Sequence, residues 1–103
     1  MPVNDRSENL IDSPHRGLAL GAAPRGYRGS IVSIEVDFDH NGVPASEIER
    51  RLLELGFVEG AAVAILHEGP VGRDPIAVRV NNTTIALRRR EAMAIFVTAN
   101  SAV

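Results

Sequence analysis

Residues 76–87 read IAVRVNNTTIAL. Ile76, Val78 and Val80 alternate with Ala77 and Arg79, the period of two that places apolar side chains on one face of a strand. Asn81-Asn82 follows, a pair that tolerates the positive φ angles of a tight hairpin turn. Ile85 and Leu87 then begin a return strand. An antiparallel hairpin with one buried face is the simplest structure that these twelve residues support.

Outward from the hairpin the same grammar repeats. On the N-terminal side, Val63 and Ile65 alternate within AAVAIL, and a Gly/Pro-rich loop is expected from Gly69 to Pro75 (GPVGRDP). On the C-terminal side, Arg89 to Ala94 predicts one helical turn, and Ile95 to Val97 a last strand. Near the start, Gly29 to Asp37 alternates with Val32, Ile34 and Val36 on one side and Ser33, Glu35 and Asp37 on the other. Between these strands lies the one long helical pattern, from about Ala45 to Leu55. Ser46 with Glu49 fits a capping box, and Ile48, Leu52 and Leu55 fall on one face. Glu47, Arg50, Arg51 and Glu54 point to water, and Gly56 is placed to end the helix in the left-handed conformation. Several short strands at near-regular spacing with one helix predict a mainly β protein, a small closed or partly open barrel.

Taken in order, RRLLELGFVEGAAVAIL, GPVGRDPIAVRV and IALRRREAMAIFV resemble the FeoA family, the ferrous iron transport proteins A. Together with the first strand, GSIVSIEV, the resemblance spans roughly four-fifths of the chain. It implies an SH3-like barrel of about five strands with one prominent α-helix. It also implies an accessory role in bacterial ferrous iron uptake, through a FeoB-type transporter whose cytoplasmic part is a GTP-binding domain. The domain is expected over 17–99, between a flexible leader at 1–16 and a short tail at 100–103. The leader and the DHNGVP segment at 39–44 depart from the family pattern. So does Arg73, set between Gly72 and Asp74, which adds positive charge at a loop tip.

Composition narrows the chemistry. The chain has 103 residues, enough for one domain. A formal net charge of −2 argues against a nucleic-acid binder, which carries a basic excess, and against a polybasic membrane anchor. All eleven basic residues are Arg. With no Cys there are no disulfides, thiolate metal sites or thiol catalysis. No apolar run approaches the roughly 20 residues that span a bilayer, and no secretory signal is visible, so a cytoplasmic protein is expected. No cofactor is implied.

Site candidates are few. Asp37, Asp39 and His40 could together offer oxygen and nitrogen ligands to Fe²⁺. A solvated acidic turn accounts for the same residues and is the preferred reading. His67-Glu68 points to opposite faces after a strand, and His15 falls in the leader. No Gly-x-Ser-x-Gly motif is present, and Gly69 to Gly72 lacks the Lys-Ser/Thr of a phosphate-binding loop. The expectation is therefore a protein that is not an enzyme. The run Arg88-Arg89-Arg90 reads as a solvated strand end, or as the charged rim of a protein-binding surface. That surface is expected on the helix flank, where Leu53 and Phe57 sit among Arg50, Arg51 and Glu54. Arg73 at the loop tip is a further contact candidate. Leu53 packed beneath the leader is the competing explanation. A metal-responsive regulatory domain that senses Fe²⁺, acting through a metal site or through homo-oligomerisation, is the second functional reading. An RNA-binding barrel is a third.

Overall fold

The computed structural model describes residues 17–36 and 42–99. The expected leader, the tail and the candidates Asp37, Asp39 and His40 lie outside the described residues. Six strands form one antiparallel sheet: β1 (Leu18–Ala19), β2 (Arg28–Ile34), β3 (Ala62–Val71), β4 (Asp74–Val80), β5 (Thr83–Leu87) and β6 (Ile95–Ala99). Their order across the sheet is β1-β6-β2-β3-β4-β5. The protein is mainly β, with six strands among the described residues where about five are expected. The additional one is β1, two residues long, which pairs with Val97 and Phe96.

The 76–87 hairpin forms as its pattern predicts. Val80 pairs with Thr83, Val78 with Ile85 and Ile76 with Leu87, and Asn81 takes a φ of 56°. Ile76, Val78 and Val80 are fully enclosed, facing Ile31, Val63, Ile65, Ile95 and Val97. The expected loop at 69–75 is instead the tip of a second hairpin. Gly69, Pro70 and Val71 belong to β3, Asp74 and Pro75 to β4, and the turn is Gly72-Arg73 alone. Both turn residues have positive φ, 67° and 61°, which matches the twist of the flanking strands. His67 and Glu68 accordingly lie within β3 and not after it.

The alternation expected along the first strand breaks once. The β2–β6 register shifts between Ile31 and Ser33, so Val32 is an extra residue. Ile31 is buried, and past the bulge Ile34 and Val36 pack against the core while Val32 does not.

Helix α1 (Ala45–Glu54) begins differently from expectation. Its N-cap is Pro44, which makes no side-chain cap, and Ser46 lies inside the helix. The C-terminus follows the sequence. Gly56 has a φ of 105°, its N–H donates to the Leu53 carbonyl, and the Phe57 N–H donates to the Leu52 carbonyl. These two bonds are the Schellman closure, which turns the chain back on its helix. Phe57 thereby joins Leu52 in the core. A second short helix, α2 (Arg89–Ala92), opens with the Glu91 carboxylate accepting the Arg88 N–H at 3.2 Å.

Candidate functional site

The flank of α1 is the first surface with functional makeup. Leu53 is 41% exposed, and Leu55 and Val58 are exposed beside it in sequence. Leu55 shares the expected face with Ile48 and Leu52, lining one cleft with them, but it stays exposed while they pack in or against the core. Arg50 pairs with Glu47 at 3.1 Å, with both side chains largely in solvent. Arg51 lies 3.7 Å from Glu91 of α2. Phe57 does not belong to this surface. It is 0% exposed, because the Schellman turn delivers its ring to the core.

The second surface is the tip of the β3–β4 hairpin. Val71 is 81% exposed and Arg73 is exposed beside it. Arg73 reaches this position because a two-residue turn places it in the left-handed region, where a side chain projects from the tip. The tip is held from below by Arg89. The Arg89 Nε donates to the Arg73 carbonyl at 2.9 Å, and its backbone N–H donates to Asp74 Oδ1 at 2.8 Å. Nη1 donates to the carbonyls of Gly21 and Ala23 at 3.1 and 2.7 Å, and Nη2 to Glu68 Oε2 at 2.8 Å. Four of the five guanidinium and Nε protons are placed by this one side chain.

Arg89 is therefore not part of a solvated basic run. It joins the hairpin to the 3₁₀ turn at Leu20–Ala22, where Gly21 leaves no room for a Cβ beneath the Arg89 carbonyl. An open cavity of 310 Å³ lies alongside, lined by Gly21, Ala22, Ala23, Pro24, Gly72, Arg73 and Arg89. Helix α2 thus touches both surfaces, the hairpin tip through Arg89 and α1 through Glu91. The sequence offers little warning of this, because three of the four side-chain acceptors of Arg89 are backbone carbonyls.

No three of His, Asp and Glu come together among the described residues in a way that could hold a metal ion. Among the described residues, none buried in the core is polar or charged. Burial pushes the Tyr27 phenol above its ordinary value of 10.0. Among the described residues no helix is long and apolar enough to cross a membrane.

A family model described as the FeoA domain matches residues 18–99. The chain belongs to the FeoA family. Solved structures agree. The FeoA protein from Chlorobium tepidum is 30% identical, with a TM-score of 0.68 over 84% of this chain and 73% of that one. FeoA from Stenotrophomonas maltophilia, complexed with zinc and described as an SH3 domain protein, is 36% identical. Its TM-score is 0.62 over 79% of this chain and 89% of that one. A FeoA-like protein from Clostridium acetobutylicum is 27% identical, with a TM-score of 0.67 over 85% and 92%. No curated protein is significantly similar to the chain. The resemblance carried by residues 52–97 and the first strand is thus a true family relationship, and the barrel is SH3-like.

Proposed function

We propose that this chain is a non-enzymatic accessory of bacterial ferrous iron uptake, acting in the cytoplasm by direct contact with a FeoB-type transporter. The observation that carries the proposal is the FeoA domain over residues 18–99, joined to an apolar helix flank left in solvent. The S. maltophilia relative is itself put forward as a ferrous iron transport activating factor. SH3-like barrels serve many functions, so the fold alone would not support this reading. The surface adds to it. Leu53 on the flank of α1, with Arg50, Arg51 and Glu54 on the same helix, offers an exposed apolar side chain with charged neighbours, the makeup of a protein contact. Arg73 and Val71 at the hairpin tip supply a second contact region.

An amide NMR titration with the transporter's cytoplasmic GTP-binding domain, without iron, tests this. Shifts clustered on 50–58 and 70–74 are expected. A flat titration at millimolar concentration would sink direct docking to that domain. Leu53→Gln separates docking from packing: a folded variant with binding lowered at least about tenfold is expected, since a central apolar contact contributes about 1.4 kcal/mol or more. Loss of the fold would place Leu53 in the structure's interior economy instead.

A second reading, a metal-responsive regulatory domain, draws on the zinc held by the S. maltophilia relative. Asp37, Asp39 and His40 remain its candidate ligands. Anaerobic titration with Fe²⁺ tests it, and the absence of both heat and any perturbation of the His40 resonance would dismiss it.

A further inference from the structure

The sheet ends on β5, whose outer edge pairs with no described strand. In a two-residue hairpin the closing pair exchanges both backbone hydrogen bonds, here Val80 with Thr83. The pattern recurs at Val78–Ile85 and Ile76–Leu87. The alternation leaves the N–H and C=O of Thr84 and Ala86 directed away from the sheet, and both residues are exposed. The next outward N–H, that of Arg88, is taken by Glu91. From Thr83 to Leu87 the strand has no charge, no Pro and no bulge. Those are three of the usual devices that blunt a sheet edge, and β5 has none of the three.

We propose that this edge pairs antiparallel with the same edge of a second copy of the chain. With the two-fold axis at Ile85, Thr84 faces Ala86 of the second copy, and Ala86 faces Thr84 of the second copy. Four backbone hydrogen bonds form, and the side chains brought together are small and uncharged. One step outward, Arg88 faces Asn82 of the second copy, so no like charges meet. Any extended strand could accept the same four bonds. A second copy is favoured because its own register brings no repulsive pair. On the inner side of the sheet, Ile85 meets Ile85 of the second copy. That contact lies beside an 80 Å³ cleft lined by Ile48, Leu52 and Leu55 of α1 with Ala86 and Leu87 of β5, and closed on its charged side by the Arg51–Glu91 pair. Leu55, exposed in the single chain, borders the new contact. Four hydrogen bonds and a small area put the pair at the weak end, with Kd on the order of 1 mM.

Sedimentation and amide spectra from about 20 µM to about 2 mM, spanning that Kd, test the proposal. The average mass is expected to rise towards the dimer, with concentration-dependent shifts centred on Thr84 and Ala86. Ala86→Pro deletes one outward N–H and leaves the β4 ladder intact. The double variant Thr84→Lys, Ala86→Lys places lysines around the two-fold axis. Both are expected to remain monomeric across the range while keeping a dispersed amide spectrum. Should Ala86→Pro fail to fold, the double lysine variant decides. A constant mass throughout the range would overturn the proposal. So would association that survives undiminished in the lysine variant, or shifts that map away from β5.

Discussion

Arg89 gathers groups that lie far apart along the chain: the Gly21 and Ala23 carbonyls, the Glu68 carboxylate and the tip of the β3–β4 hairpin. Its side chain is only 19% exposed, so these bonds are largely withdrawn from water. Truncation at this position leaves Glu68 and three carbonyls short of a donor. Arg89→Ala is therefore expected to lower stability by about 2–3 kcal/mol, read from urea unfolding. Arg89→Lys should recover less than half, because an ammonium group cannot span acceptors set out in a plane. A loss below about 0.5 kcal/mol, the scale of an ordinary surface change, would mean that the hairpin stands without this support. The sequence shows three consecutive arginines and nothing to single out the middle one. Three of its four side-chain partners are main-chain carbonyls, two of them 66–68 residues away, and a carbonyl has no signature in composition.

Helix α1 has ends of unequal quality. Its C-terminus closes through Gly56 at a φ of 105°, a conformation that costs a side chain roughly 1 kcal/mol. Gly56→Ala should lower the unfolding free energy by about that amount. At the N-terminus Ser46 makes no capping bond, so Ser46→Ala should change stability by less than about 0.5 kcal/mol, where a true cap would lose about 1. A larger loss at Ser46 would place the helix start one or two residues later than Ala45. Elements with a clear period, such as 76–87, were legible because side-chain alternation and turn chemistry agree. The 69–75 hairpin was not. Its Gly and Pro residues look like a loop, whereas strand pairing there is carried by the backbone and by the close approach that Gly69 allows to the Asp74 carbonyl. The burial of Phe57 escapes the sequence for a related reason: it depends on the direction in which Gly56 turns the chain, and no residue pattern states that direction.

For the molecule as a whole, the mainly β class follows from periodicity and the SH3-like barrel from family resemblance, while the two exposed surfaces are legible through Leu53 and Arg73, the structure adding Val71 and burying Phe57. A global consequence of packing appears at high pH. Burial raises the Tyr27 phenol above its ordinary value of 10.0, so the folded state holds that proton more tightly than the unfolded chain. The stabilisation is complete below pH 10 and is lost as pH rises through the folded value. Tyr27→Phe should flatten that part of the alkaline decline, and an unchanged decline would assign it to other groups. The bulge at Val32 has a different reach. Relatives whose first strand lacks the extra residue can be superimposed on this one only by leaving a one-position gap there. An ungapped alignment would compare inward side chains with outward ones from Ser33 onward, and would make Ile34 and Val36 look like substitutions of surface residues.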